Sequence, residues 1–265
     1  MTGYGIKSLV PGVWEIDDGV NGSLYIIEGT RCALVIDTGM AQSDVIEMIS
    51  SVTSKPFSLA LTHGHGDHSM HCSRFDRVYL DFADREMLFS QRFPGQLTPD
   101  GEKLVHISAG HSFDLGGAVI KTVALPGHTP GSLLFVDETH KCVFTGDAVG
   151  SGCGVWMQVP GALPLSEYAA SIRSAVNALK DMGVADSGWI FCGGHASQRR
   201  LSTVSADNPV CLKLMDDMAS LCDKLVSGEI TGSKEGVDSR AAQFGDVYFA
   251  KYGRAEMLFR KEQLR

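Results

Sequence analysis

The chain has 265 residues, 44% hydrophobic and 20% charged, which suits a globular protein with one large core or two small ones. Its 31 acidic side chains against 23 basic ones leave a net charge of -8, which argues against the basic footprint that grips nucleic acid regardless of sequence. No stretch approaches the roughly 18 consecutive apolar residues of a membrane span, and MTGYGIKSLVPGVWEI at the start lacks the apolar core of a secretory signal.

From Val13 the pattern is short apolar runs cut by glycine and turn residues. SLYIIEG and CALVIDTG read as strands, and Gln42 to Val52 as a helix. FSLALTHGHGDH is a strand running into a histidine cluster; VYL is a further strand and Ala83 to Phe93 a helix. LVHI, VIKTVAL, SLLFVD and CVFTGD continue the strand series. Ser166 to Met182 reads as an amphipathic helix with Ser166 as N-cap and Gly183 as its stop. WIFCGGH is a strand, Leu212 to Val226 a helix, and AAQFGDVYFAKYGRAEMLFR a β-hairpin. Many strands with few helices predict two packed sheets flanked by helices more than a strictly alternating βαβ fold. The seven cysteines form no CxxC pair, are odd in number and partly lie in apolar runs, so a reduced, cytoplasmic setting is expected.

Five of the apolar runs end in a polar tip that contains glycine: LVIDTG at Asp37, LALTHGHGDH at His63 to His68, TVALPGH at His128, VFTGD at Asp147 and WIFCGGH at His195. Tips at one end of several strands can meet although they are far apart in sequence, and glycine lets the backbone turn and approach closely. In extended chain His63 and His65 leave the same face, and two imidazoles side by side are half of a transition-metal site. Asp67 and His68 follow where the chain turns. One small ion is not easily reached by all four, so the spacing hints at two adjacent ions, with His128, Asp147 and His195 completing the set and Asp147 able to bridge through its two oxygens.

The motifs THGHGDH, LPGHTPGS, FTGD and GGH, with IDTG upstream, resemble in kind and order those of the metallo-β-lactamase superfamily. The resemblance spans Asp37 to His195. It implies an α/β (α+β) fold, the four-layer αββα sandwich of two mixed β-sheets flanked by helices, over a single domain of residues 1–265, with 206–265 a C-terminal helix and hairpin packed on it. It also implies that His63, His65 and His128 hold one metal, that Asp67, His68 and His195 hold a second, and that Asp147 bridges. Asp37 then orients a ligand from outside the coordination sphere. Imidazole and carboxylate donors suit two zinc ions, with iron or manganese fitting the same cage.

Two cations sharing one water lower its pKa, so hydroxide exists near neutral pH, with Asp67 placed to orient it. FTGD around Asp147 and GHTPGS around His128 are similar to the branch containing hydroxyacylglutathione hydrolase and lactonases. The expected activity is hydrolysis of a small ester, thioester or lactone. A phosphodiesterase and a mononuclear-iron persulfide dioxygenase are the alternatives, and β-lactam hydrolysis at most a side activity. Cys153, Trp156 and Met157, in the glycine-rich segment after Asp147, are candidate substrate-pocket residues. Cys72 and Cys192, beside ligand positions, are read as inert buried thiols, and His71 as a packing residue. The expected partner is a small molecule, without nucleic acid or membrane; a homodimer is compatible with the chain.

Overall fold

The runs SLYIIE and ALVI are buried along nearly their whole length, so the sheet they belong to must be covered on both faces. The computed structural model describes all residues except 1–3, 21, 91–94, 98, 152–153, 197, 199–209 and 238. In chain order the strands are β1 (Gly5–Val10), β2 (Val13–Asp17), β3 (Ser23–Glu28), β4 (Ala33–Ile36), β5 (Phe57–Ala60), β6 (Val78–Leu80), β7 (Leu104–His106), β8 (Ser112–Asp114), β9 (Val119–Ala124), β10 (Leu133–Asp137), β11 (Cys142–Gly146), β12 (Val155–Trp156), β13 (Ile190–Gly193), β14 (Val247–Tyr252) and β15 (Ala255–Arg260). The α-helices are α1 (Val45–Val52), α2 (Gly66–Ser69), α3 (Arg85–Ser90), α4 (Leu165–Asp181), α5 (Leu212–Val226) and α6 (Ser239–Ala242).

β1 to β7 form one sheet in sequence order, antiparallel from β1 to β4 and parallel from β4 to β7. The second sheet runs β13-β11-β10-β9-β8. Side-chain alternation sorts the two faces. Tyr25, Ile27, Leu34 and Ile36 of the first sheet meet Phe135 and Phe144 of the second in the core between the sheets. Ile26, Val35 and Leu59 face the other way, onto Val45 and Ile49 of α1. On the outer side of the second sheet, Leu134, Val136 and Val143 pack with Tyr168, Ile172 and Leu179 of α4 and with Met215 and Met218 of α5. The layers are helix, sheet, sheet, helix, as the motifs implied. Among the described residues no helix is long and apolar enough to cross a membrane.

The chain departs from expectation in places. The predicted hairpin forms, as β14 and β15, but β12 pairs parallel with β15, making a third sheet, β12-β15-β14. The first helix begins at Val45 because the Asp44 carboxylate accepts the N–H groups of Ile46 and Glu47. The predicted helix over Ala83 to Phe93 divides into a 3₁₀ turn over Phe82–Asp84 and α3, Arg85–Ser90, while its last three residues lie outside the described residues. Ser166 is not the N-cap of α4. Pro164 holds that position, and the Ser166 hydroxyl donates instead to the carbonyl of Arg265 at 2.6 Å. Gly183 does follow the helix end, with φ +77°, a backbone state that glycine adopts without steric cost.

Candidate metal centre

β4 and β5 are parallel, and so are β11 and β13, with β9 running in the same direction as β11 through two antiparallel pairings. The tips after Ile36, Ala60, Ala124, Gly146 and Gly193 therefore emerge along one edge of the two-sheet stack. Hydrogen bonds lock the sheets together there: Leu133 donates to the Thr62 carbonyl at 2.9 Å, Ser23 to that of Gly194 at 2.8 Å, and the Tyr25 hydroxyl to that of Gly193 at 2.6 Å.

All seven residues anticipated as ligands come together, in two groups whose donor atoms lie within 4.8 Å of one another: His63, His65 and His128; and Asp67, His68, Asp147 and His195. In the first, His65 Nδ1 is 3.1 Å from His63 Nε2 and 3.0 Å from His128 Nε2. Donors about 2.1 Å from a common ion stand roughly 3.0–3.5 Å apart, so these spacings fit one. In the second, His195 Nε2 is 2.9 Å from Asp147 Oδ2 and 3.6 Å from Asp67 Oδ2, and His68 Nε2 is 3.5 Å from Asp147 Oδ1. Asp147 Oδ2 is also 3.9 Å from His128 Nε2, so this carboxylate faces both groups.

Two buried atoms test whether cations fit. Among the described residues, His68 Nε2 and Asp147 Oδ1 meet no hydrogen-bond partner, a costly state for groups withdrawn from water. Both belong to the second group, 3.5 Å apart, where a cation would satisfy each.

The other ring nitrogens of His63, His68 and His128 are tied to the protein, which fixes which nitrogen faces inward. His68 Nδ1 is 2.9 Å from Asp37 Oδ2. The Thr62 hydroxyl donates to the same oxygen at 2.7 Å, which leaves it to accept from His63 Nδ1 at 3.0 Å. His128 Nδ1 donates to the Trp156 carbonyl at 2.8 Å. Asp37 thus steadies one residue of each group, and does so from a left-handed backbone, φ +60°. Gly194 explains the GGH motif: a Cβ there would fall on Asp147 Oδ1 and His68 Cε1.

Charge divides the groups further. Burial, with neighbouring imidazoles adding to it, holds His63 well below the usual histidine range and His65 down at about 3; burial lowers His128 as well. These three rings are neutral, the state that binds metal. Burial alone would lower His68 and His195 too, but Asp147 beside both, with Asp67 and, for His68, Asp37, outweighs it and raises them. Burial disfavours charge on Asp147, yet His195 and His68 hold it well below the ordinary carboxylate value. Protons on the second group stand where a cation's charge would otherwise act.

Asp84 was not anticipated. Buried, it accepts from Gly64 N at 2.9 Å and the Thr129 hydroxyl at 2.6 Å through one oxygen, and from Gly131 N at 2.7 Å through the other. It clamps the HGHGDH loop to the GHTPG loop. VYLDFAD shows two acids near a helix start, and nothing in that pattern says which turns inward.

A cleft of about 330 Å³ opens over the two groups, lined by His65, Asp67, His128, Asp147 and His195 on the floor and by Trp156, Val159, Gln198, Arg240 and Phe244 on the walls. Trp156 lines it as anticipated. Met157 does not: it is wholly buried in the outer core, because the chain alternates faces along this segment. Cys153 lies outside the described residues. Cys72 and Cys192 are buried, and burial pushes the first thiol up to about 12 and the second well above its ordinary value, so neither is a nucleophile. His71 Nε2 meets the Ala41 carbonyl at 2.9 Å, a packing contact.

A family model described as the metallo-beta-lactamase superfamily matches residues 81–195, which hold His128, Asp147 and His195. The chain is 33% identical over 129 residues to an atrochrysone carboxyl ACP thioesterase of Aspergillus fumigatus, a match covering 47% of this chain and 28% of that protein. It thus spans less than a third of that relative's length. It is 24% identical over 223 residues to the human acyl-coenzyme A thioesterase MBLAC2, covering 69% of this chain and 78% of the relative. Among solved structures, a metallo-beta-lactamase from Pontibacter korlensis superposes with a TM-score of 0.58 at 15% identity, covering 83% of this chain and 99% of that one. The match over residues 81–195 and the shared fold make this chain similar to the metallo-β-lactamase superfamily.

Proposed function

We propose that the protein is a binuclear metal-dependent hydrolase whose substrates are thioesters. The observation that carries the reading is the position of Asp147 facing both donor groups, with its Oδ1 and His68 Nε2 buried and without a hydrogen-bond partner among the described residues. His63, His65 and His128 would hold one ion, and Asp67, His68 and His195 the other, with Asp147 shared. Two such ions supply an acidified water and polarise the acyl oxygen. The relatives named as thioesterases select the thioester among the acyl bonds that such a centre can open.

The chain's own residues do the rest. Asp67, less buried than His68 and His195, lines the cleft and takes the proton of the attacking water. A carbon–oxygen bond forms at the acyl carbon, the carbon–sulfur bond breaks, Asp67 returns its proton to the departing sulfur, and the thiol leaves through the cleft mouth. Trp156 holds His128 in one tautomer through its carbonyl while its ring walls the cleft.

The test is metal quantification followed by turnover of a panel of thioesters, lactones and aryl phosphodiesters. About two divalent ions per chain, with thioesters turned over best, is the expected result. Asp67→Ala should lower kcat/KM roughly 10²- to 10⁴-fold with the fold intact. One iron per chain with oxygen uptake on glutathione persulfide would overturn the reading, as would phosphodiester turnover surpassing every acyl substrate.

A further inference from the structure

The cleft is lined by two kinds of surface. His65, His128 and Asp147 of the donor groups make one; Trp156, Val159, Pro160 and Phe244 make the other, which is apolar. Trp156 joins the two, because its carbonyl accepts from His128 Nδ1 at 2.8 Å while its ring lines the cleft. A group lying against the indole is thus one residue removed from a donor imidazole. That is the place of a substrate's acyl group, not of the distant part of its leaving group. The ring is firmly held. The Trp156 and Phe244 rings lie 6.2 Å apart, edge to face at 74°, within the range over which aromatic pairs attract. Both pack on a buried cluster of Ala241, Val247 and Leu258, and β12 pairs Trp156 with Leu258. The Arg240 guanidinium packs over the indole, 5.8 Å from its centre, and fixes it further. Rings fixed in advance lose little freedom when a ligand arrives. Stacking uses ring faces and edges, so it requires no hydrogen-bonding group to give up a partner. The volume, about 330 Å³, is at the small end for ligand sites, suited to a compact ring more than to a long flexible chain.

From this juxtaposition we infer that Trp156 and Phe244 form the acyl-group subsite and are the specificity-determining residues of the cleft, selecting an aromatic acyl group over an aliphatic one of like size. A ring that adds an edge-to-face or offset contact to such a pair gains about 2- to 10-fold in affinity beyond what its buried area supplies. A saturated ring fills the same space without that gain. The inference takes the thioester from the proposed function, but the ring subsite itself does not depend on which bond is cleaved.

Binding of product acids to the metal-loaded protein, measured by calorimetry, reads the subsite without turnover. Phenylacetate is compared with cyclohexylacetate, a ring of similar size without a π-system, and with hexanoate, a flexible chain. The parent protein should bind phenylacetate about threefold or more tightly than either. Phe244→Leu should reduce that ratio by about half or more, and Trp156→Leu combined with Phe244→Leu should bring it to about one. Trp156→Phe should retain much of it. Replacing the Trp156 side chain keeps the backbone carbonyl that holds His128. Should the Trp156 variants lose metal or fail to fold, Phe244→Leu, which alters a half-buried ring outside every strand and helix, decides alone. Equal affinity of the parent for the three acids, tighter binding of an aliphatic one, no binding of any, or a phenylacetate preference that survives ring removal overturns the inference. Turnover of the matching N-acetylcysteamine thioesters is scored separately. Ring preference without any thioester turnover leaves the subsite standing and the thioesterase reading fallen; thioester turnover without ring preference does the reverse.

Discussion

The Asp37 carboxylate takes the N–H of Thr62 at 2.8 Å on one oxygen, and the Thr62 hydroxyl and His68 Nδ1 on the other. Through Thr62 its hold extends to His63, so one anion orients a ring in each donor group. Asparagine tolerates the left-handed backbone that Asp37 adopts and has the same size. Asp37→Asn therefore changes the charge and one acceptor while leaving the turn alone. Its amide cannot accept from Thr62 N, the Thr62 hydroxyl and His68 Nδ1 together. Chelator-competition titration should show affinity for metal reduced about 10- to 100-fold, the usual effect of losing such an outer partner. Thr62→Val breaks only the relay to His63, so its loss should be smaller and confined to binding at the His63, His65 and His128 group. Equal affinities in Asp37→Asn and the parent would show that packing alone aims the rings.

Loops and helices need anchors, and the structure supplies them with acids at element starts, Asp84 buried and Asp44 exposed. Asp84→Ala would strip the acceptor from two backbone N–H groups and one hydroxyl in a dry interior. The cost should be about 2–4 kcal/mol in unfolding free energy by denaturant titration, since each orphaned donor costs a sizeable fraction of that. Asp44 caps α1 and pairs with Arg74 at 3.0 Å; the Arg74 hydrogen bond foremost, then those from the helix N–H groups, holds its carboxyl below the ordinary value of 3.8. A depressed folded-state pKa contributes stability that is fully present above pH 3.8 and fades as pH falls through the lower folded value. Asp44→Ala should thus melt below the parent at pH 7, with the gap narrowing under pH 3.8; a gap independent of pH would assign the effect to the cap geometry alone.

These anchors mark where sequence stops being legible. Strand tips ending in histidine, aspartate and glycine were visible because function concentrates rare residues at fixed spacing, and all seven converge. The helical period of α4 and the continuous apolar runs of β3 and β10 were visible because burial follows the element. Asp84 was not, because a buried acid has the same letters around it as a solvated one. Met157 was misplaced into the cleft because a two-residue strand has too few positions to show its face. The third sheet was hidden because β12 and β15 are about a hundred residues apart and only their pairing defines it.

That long-range pairing links the end of the chain to the centre. β12 is held against β15 through Val155 and Trp156, Met157 donates to the Leu258 carbonyl at 2.8 Å, and the Gln263 amide donates to the carbonyl of Met157. Trp156, so placed, holds His128. The mean position of a metal-facing imidazole therefore depends on the packing of a sheet whose other strands lie after residue 246. Met257 is fully buried opposite Val155, within the core shared with α5. Met257→Ala should cost about 2–5 kcal/mol, as large-to-small core changes do. Global stability and a directed effect on His128 predict different companions for that loss. Ile49→Ala, in the outer core under α1, provides a control of similar cost far from β12. Both variants should melt lower than the parent, but only Met257→Ala should also weaken metal binding, measured well below either melting transition, where the protein is folded. Equal weakening in both would mean that the C-terminal sheet contributes stability without aiming the ligand, and unchanged binding in both would mean that His128 is held by its own loop.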